Sequence, residues 1–231
     1  MKTLFIYGLI LCYSIPPASA KTIIVGPNER IRTITQGIAA ASNGDTVNVR
    51  AGHYFEHGLV VNKSILLKGF DFPTVDGENK YEVISITASH VTIEGFTVIN
   101  SGSSSVEDFA GIKIINTRDV IVRNNILHGN IFGIYTQYGT NCRIENNKIS
   151  SHAVSELLSG NGIHCWKSDS MYILENVVNG NRDGIYFEFV THSVIWNNQS
   201  YNNIRYGLHF MFSNDDEYVN NIFSANGSGV A

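Results

Sequence analysis

Residues 184–198 read GIYFEFVTHSVIWNN: a glycine, an aliphatic residue, an alternating run and a pair of asparagines. This pattern begins six times, with spacings of 22, 29, 22, 23 and 22 residues, at Gly111, Gly133, Gly162, Gly184, Gly207 and, cut short, Gly229. A fixed period of this length is typical of solenoid proteins, in which each repeat stacks on the next. The repeat therefore decides the fold before any local assignment of secondary structure.

An asparagine stands 14 residues after each complete repeat glycine, namely Asn125, Asn147, Asn176, Asn198 and Asn221. Asparagine tolerates the left-handed backbone conformation that a sharp corner needs, and its side chain can bond nearby backbone. Amides stacked once per coil can also form a ladder along a solenoid. We predict that these five residues form one stacked column at a corner.

The runs between these marks are short and β-branched, as in residues 120–122 and 193–195, and they lack the spacing of an amphipathic helix. The leucine-dense frame of a leucine-rich repeat is also missing. The pattern predicts an all-β fold, a right-handed parallel β-helix. The longer spacing predicts a loop at residues 151–159, and a polar stretch at residues 101–108 predicts a second insertion.

The best helix candidate is residues 31–42, which carry isoleucines on one face and end at Asn43-Gly44. We assign this helix to cover the open N-terminal end of the solenoid, because unpaired strand edges recruit other chains. Coils then begin near residue 45. The sequence stops at Ala231, three residues into a coil, which predicts that further C-terminal coils and a cap are missing.

Residues 1–20 have the features of a secretory signal peptide, with Lys2, an apolar stretch and a small-residue cleavage site at Ala18-Ser-Ala20. The alternative is an uncleaved anchor, although the apolar stretch is short for a bilayer. Residues 21–231 then form one domain without direct membrane insertion. The formal net charge of −4 and the absence of a basic cluster disfavour nucleic acid as a partner. Cys142 and Cys165 are interpreted as buried free thiols, with a disulfide left open.

Alternation along the strands predicts two outward columns of side chains. The first contains Lys113, Tyr135, His164, Tyr186 and His209, and the second contains Ile115, Gln137, Trp166, Glu188 and Met211. The last three coils would present His164, Trp166, Tyr186, Glu188, His209 and Met211 on one face. Such a surface is covered by loops, docks a partner protein, or binds a ligand directly; aromatic and methionine enrichment is typical of contact surfaces.

His209 and Met211 are the candidate metal ligands, because imidazole with thioether suits Cu(I). Two ligands are few, so the sequence indicates no firmly bound cofactor. The aromatic residues could instead stack on sugar rings, but glycan hydrolysis normally needs two carboxylates and these columns supply Glu188 alone. Asp183, Asp215 and Asp216 are interpreted as turn formers. No catalytic residue is assigned.

The runs Gly184-Ile-Tyr-Phe-Glu-Phe189 and Arg205-Tyr-Gly-Leu-His-Phe-Met-Phe-Ser213 resemble the NosD family, the periplasmic maturation proteins of nitrous oxide reductase. The coils as a whole resemble the broader class of carbohydrate-binding and sugar-hydrolase repeats, a solenoid of the pectate-lyase type. The resemblance carries over motif residues rather than a ligand list: Tyr186, Phe187, Glu188, Arg205, Tyr206, His209, Met211 and Ser213.

The resemblance implies a periplasmic, non-catalytic accessory role in assembling the copper centres of nitrous oxide reductase. The implied partners are an ABC transporter permease with its ATPase, a copper-carrying lipoprotein and the reductase, with copper bound at most transiently. The alternative from another class is a secreted glycan-binding or glycan-cleaving β-helix protein. The neighbouring genes distinguish these two functions. Genes for a permease, an ATPase and the reductase favour maturation, and genes for polysaccharide transporters favour the alternative.

Overall fold

A computed structural model describes residues 19–104 and 106–231. Most of the predicted signal peptide, residues 1–18, lies outside the described residues. In the described part, strands are short and one helix is present. No helix there is both long and apolar enough to cross a membrane.

The elements follow one another along the chain as short segments separated by corners. The N-terminal part contains β1 (Thr22–Val25), α1 (Ile34–Ala40), β2 (Thr46–Val49), β3 (His53–Tyr54), β4 (Leu59–Val61), β5 (Leu66–Gly69), β6 (Thr74–Asp76), β7 (Ile84–Ile86), β8 (Thr92–Glu94) and β9 (Thr97–Ile99). The middle coils contain β10 (Ala110–Ile115), β11 (Ile121–Arg123), β12 (Ile126–His128), β13 (Phe132–Gln137), β14 (Arg143–Glu145), β15 (Lys148–Ser150), β16 (Ile163–Trp166), β17 (Tyr172–Leu174) and β18 (Val177–Asn179). The last coils contain β19 (Ile185–Glu188), β20 (Val194–Trp196), β21 (Gln199–Tyr201), β22 (Tyr206–Met211), β23 (Glu217–Val219), β24 (Ile222–Ser224) and β25 (Ser228–Val230).

From β2 onward every third strand joins the same parallel sheet, so three sheets run along the molecule. The first has nine strands, in the order β1-β2-β5-β8-β11-β14-β17-β20-β23. The second has eight, β4-β7-β10-β13-β16-β19-β22-β25, and the third has eight, β3-β6-β9-β12-β15-β18-β21-β24. The prediction of a right-handed parallel β-helix is confirmed.

The core fills the inside of the coils with one side chain from each inward position. The residues after the repeat glycines form one such column without solvent exposure: Ile112, Ile134, Ile163, Ile185 and Leu208. Their register across β10, β13, β16, β19 and β22 is continuous. Because alternation then fixes the next residue of each strand as outward, this column positions the candidate site.

The asparagine column lies at the corner between the first and third sheets. The side-chain oxygen of Asn176 accepts hydrogen bonds from the backbone N–H of Asn147 and from its amide nitrogen, both at 3.0 Å. Asn198 accepts in the same way from Asn176, at 2.9 and 3.0 Å. The chain of bonds runs from Asn125 to Asn221. These amides therefore satisfy buried backbone donors that the corner would leave unpaired.

The left-handed conformation lies one residue earlier than predicted. It belongs to Asn124, Asn146, Glu175, Asn197 and Asn220, whose φ angles lie between 54° and 57°. The residue before the ladder makes the turn, which leaves the ladder asparagine free to point its amide inward. The assignment of the turn to the ladder residues is corrected accordingly.

Helix α1 is shorter than the predicted 31–42, because Thr33 caps its N-terminus and Ile31 pairs with Val25 instead. Ile34 and Ile38 pack on the first coils, and a Cβ at Gly37 would lie 2.5 Å from Val25 Cγ2. The helix ends are held by side chains from a neighbouring coil. Glu56 accepts from the N–H groups of Ile34 and Thr35, and Lys63 donates to three carbonyl oxygens at the C-terminal end.

We expect Glu56→Gln to lower the free energy of unfolding by about 1–2 kcal/mol, because capping bonds to a carboxylate are charge-assisted. Chemical denaturation with circular dichroism measures this. The control is Glu29→Gln, since the exposed pair of Glu29 with Arg50 at 3.6 Å contributes little. Equal stability of the two variants would contradict the capping role of Glu56.

Candidate functional site

Strands β13, β16, β19 and β22 carry the two outward columns on the second sheet. Pairing in register places Tyr135 beside His164, His164 beside Tyr186, and Tyr186 beside His209. The same register joins the second column, in the order Gln137, Trp166, Glu188 and Met211. The structure therefore brings all six residues of the candidate docking face together on adjacent coils.

The first column is a stack of alternating phenol and imidazole rings. The ring centroids of Tyr135, His164, Tyr186 and His209 follow one another at 4.6 Å. Tyr206 packs on the last ring at 4.7 Å. This distance matches the spacing between paired strands, so the coil repeat itself sets the stacking.

The first column is largely buried, unlike the open face predicted from alternation. Tyr135, His164 and Tyr186 expose 3%, 6% and 7% of their surfaces. The rings shield one another, and Phe132 packs against both Tyr135 and His164. His164 and Tyr186 are thus corrected from contact residues to buried supports. Trp166, Glu188, His209 and Met211 keep part of their surfaces open.

Both predicted insertions flank this face. The carbonyl oxygen of Asp108, in the first insertion, accepts a hydrogen bond from Lys113 Nζ at the base of the column. Glu156, in the second, lies 3.7 Å from Arg205. A cleft of about 620 Å³ separates the insertions, with Leu158 on its wall. The insertions therefore shape access to the column.

Burial of His164 determines its charge. Desolvation lowers the pKa of this imidazole, which keeps it neutral at neutral pH. Its Nε2 lies 3.5 Å from the carboxylate of Glu188, a long contact in which an imidazole N–H can still favour the carboxylate form. This contact lowers the pKa of Glu188, which is therefore ionised at neutral pH.

A buried ion pair, missed by the sequence analysis, supports the last ring of the stack. Asp183 is fully buried, and Arg205 Nε and Nη2 donate to its two oxygens at 3.1 Å each. His209 Nδ1 lies 3.4 Å from Asp183 Oδ2 and 3.2 Å from Arg205 Nη2. The interpretation of Asp183 as a turn former is corrected, because its carboxylate holds two side chains of the next coil. Its position directly before a repeat glycine was the available signal.

Comparison with known protein families shows which family the chain belongs to. The family model described as "Right handed beta helix region" matches residues 30–178, well over half of the sequence. The chain belongs to the right-handed β-helix family. A second family model, "Periplasmic copper-binding protein (NosD)", matches residues 152–231 of this β-helix. This match covers the coils that carry His164, Tyr186, His209 and the buried ion pair, whereas Tyr135 lies before it.

A curated relative supports the same assignment. The "Probable ABC transporter binding protein NosD" of Pseudomonas aeruginosa is 26% identical over 151 residues, covering 64% of this chain and 35% of the relative. The chain thus spans about a third of the length of that protein. The resemblance to the NosD family is confirmed.

Solved structures of similar fold act on polysaccharides. An alginate lyase from Paenibacillus sp. str. FPU-7 has a TM-score of 0.57 at 9% identity, covering 90% of this chain and 99% of its own. Pectin methylesterase PemA from Erwinia chrysanthemi has a TM-score of 0.54 at 11% identity, covering 93% and 90%. At such identities the likeness shows the fold alone.

The predicted metal ligands of this β-helix form an incomplete donor set. The hydroxyl of Tyr186 donates to Met211 Sδ at 3.2 Å, and His209 Nδ1 faces Asp183 and Arg205. Across the described ranges, no group of three or more His, Cys, Asp or Glu residues is placed to hold a metal ion. His209 and Met211 alone therefore do not fit a resident copper ion.

Proposed function

We propose that this chain is a periplasmic NosD-type accessory protein that works with an ABC transporter in assembling the copper centres of nitrous oxide reductase. The observation that carries the proposal is the NosD family match over residues 152–231. The name of the P. aeruginosa relative supports the association with a transporter. The partners would be the permease with its ATPase, a copper-carrying lipoprotein and the reductase.

The role that the face supports is docking. Interface hot spots favour large aromatic side chains set in a packed surrounding. Trp166 is half-buried, and it makes an edge contact with Tyr138 at 5.1 Å. Trp166 also packs against the buried cluster that contains Phe132 and Tyr135. An aromatic side chain that is already held by such packing loses little conformational entropy when a partner binds.

Copper would be cargo for this protein. Met211 is 37% exposed, and its thioether suits Cu(I). We propose that His209 and Met211 contact copper transiently, with the remaining ligands supplied by the copper-carrying partner. This agrees with an incomplete donor set on the present chain.

The same geometry argues against glycan cleavage. Glu188 is ionised, and the nearby Asp183 is buried and bonded to Arg205, so the two carboxylates are not both open to a substrate. We expect the purified protein to cleave no polysaccharide. Turnover that falls sharply in Glu188→Gln would favour the glycan-cleaving alternative.

The two tryptophans provide a matched test of docking. In cells lacking the native gene, we expect full-length protein carrying Trp166→Ala to lower the copper content of nitrous oxide reductase. Truncating a hot spot costs about 2 kcal/mol, a roughly thirtyfold loss of affinity. Trp196→Ala is the control, because Trp196 is 40% exposed on the first sheet.

The double variant His209→Ala, Met211→Ala tests contact with copper separately from docking. If these residues contact copper, their loss lowers copper loading while binding to the permease persists. Circular dichroism checks the folding of each variant. Full copper loading in the Trp166, His209 and Met211 triple variant would remove this face from the proposal.

A further inference from the structure

Four successive coils place large side chains at a corner where the backbone is left-handed. Tyr138, Lys167, Phe189 and Phe212 each follow a second-column residue and have φ angles between 47° and 54°. Together with Trp166 they are called the corner strip. The left-handed region is sterically unfavourable for side chains other than glycine, and least so for asparagine and aspartate.

The left-handed position three residues later in the same four coils shows the usual solution. It carries short polar or imidazole side chains, namely Asn141, Ser170, His192 and Asp215. Aromatic residues are therefore a departure from what this backbone prefers. The corner strip has a reason other than local conformation.

Core packing does not supply that reason. Tyr138, Phe189 and Phe212 expose 48%, 44% and 71% of their surfaces. Met211, next to Phe212 in sequence, is also exposed. The corner strip thus carries a conformational cost and places apolar surface in water, which points to selection for binding.

The arrangement of the rings in the corner strip indicates which class of molecule it can bind. Phe189 and Phe212 stack on each other, with centroids 5.1 Å apart and planes 12° apart. The ammonium group of Lys167 lies over the rings of Trp166, Tyr138 and Phe189, at 4.5, 5.9 and 6.0 Å. Several ring faces that a sugar would stack on are therefore already in contact with Lys167 or with another ring, which disfavours a glycan.

Two features of the corner strip are left for a partner to bind: the open edges of its aromatic rings and the ammonium group of Lys167. The edge of an aromatic ring carries the positive part of its quadrupole, and Lys167 adds a full positive charge. Apolar groups and a carboxylate complement such a surface. A protein segment offers both, whereas a neutral glycan lacks the carboxylate.

We propose that the corner strip docks an apolar segment of a partner protein, with a carboxylate of that segment facing Lys167. The inference rests on the proposed function, since it takes the partner to be a protein of the maturation assembly. Successive coils lie about 4.8 Å apart, so the strip is long enough for a short extended peptide.

Site-specific photo-crosslinking in cells tests the strip. A benzoylphenylalanine replaces Phe189 or Phe212 in the full-length protein, and mass spectrometry sequences the adducts. Phe72 is a matched control position, because it is 47% exposed and left-handed but lies outside the strip. We expect peptide adducts at 189 and 212, at least about tenfold above those at 72, from an apolar segment containing Asp or Glu.

Charge reversal distinguishes docking from chance proximity. Lys167→Glu should abolish the adducts, and changing the partner's acidic residue to lysine should restore them. Adducts no stronger than at 72, adducts of glycan or lipid, or yields unaffected by Lys167→Glu would overturn the proposal.

Folding is checked by a variant that relieves strain. Phe189→Asn with Phe212→Asn should leave the thermal midpoint within a few degrees of the parent, because asparagine tolerates the left-handed corner, yet it should remove docking. Unchanged docking in this variant would also overturn the proposal. If the corner strip crosslinks to a protein that has no part in reductase maturation, and the reductase still contains its normal copper, the proposed function is wrong. The corner strip would remain a docking site.

Discussion

Arg205→Met is expected to lower the free energy of unfolding by about 3–5 kcal/mol, because it leaves the carboxylate of Asp183 buried without its partner. Asp183 has no solvent exposure, and both of its oxygens accept bonds from Arg205. Protein stability is about 5–15 kcal/mol in total, so the variant would lose a large share of it. Chemical denaturation of the purified protein measures the change.

Arg182→Met is the matched control, because Arg182 donates through Nε to the side-chain oxygen of Asn161 at 3.2 Å and is partly exposed. It should cost far less. The double variant Arg205→Met, Asp183→Leu should recover much of the loss, since an apolar pair replaces a buried ion pair at little cost. Equal effects of Arg205→Met and Arg182→Met would show that the buried pair adds no stability.

This ion pair also shows where sequence reasoning stops. Asp183 and Arg205 are 22 residues apart and meet because they occupy neighbouring coils. The repeat predicts that they are neighbours, but it does not say whether a corner side chain points inward or into solvent. That direction depends on the backbone at the corner, where side-chain alternation no longer holds.

The columns on the strands were predictable because a strand alternates strictly. The pairing of Trp166 with Glu188 and of Tyr186 with His209 follows from the repeat alone. Burial was not predictable from it. The 6% exposure of His164 depends on Phe132, three residues before Tyr135, and on stacking across coils. Alternation along a strand determines whether a side chain points inward or outward, whereas its exposure depends on the residues that pack over that side chain.

The corner register failed for a related reason. Most of the ladder corners carry two asparagines in a row, and either can adopt the left-handed conformation. Glu175 stands before Asn176 where the other coils have asparagine, and its φ is 56°. A glutamate cannot both accept and donate as the ladder needs, so this position already indicated that the second residue bonds inward and the first one turns.

Asn176→Ala is expected to lower the free energy of unfolding by roughly 3–5 kcal/mol, because an unpaired buried polar group costs about 1–3 kcal/mol and several lose partners at once. Asn176 has no solvent exposure. It accepts from the backbone and amide nitrogens of Asn147, and it donates to Ile144 O at 2.8 Å and to Asn198 at 3.0 Å. Alanine keeps the backbone and removes all four bonds.

The control is Asn197→Gly, in the left-handed position just before a ladder residue. Asn197 is exposed, its φ is 56°, and glycine adopts that conformation without strain, so its stability should change little. Amide hydrogen exchange adds a local readout, since the N–H of Asn147 loses its acceptor in Asn176→Ala. Slow exchange at Asn147, with stability equal to that of Asn197→Gly, would show that the ladder contributes no more than water does. Fast exchange there, with Asn198 still protected by Asn221, would locate the damage at one rung and show that each coil depends on its own amide.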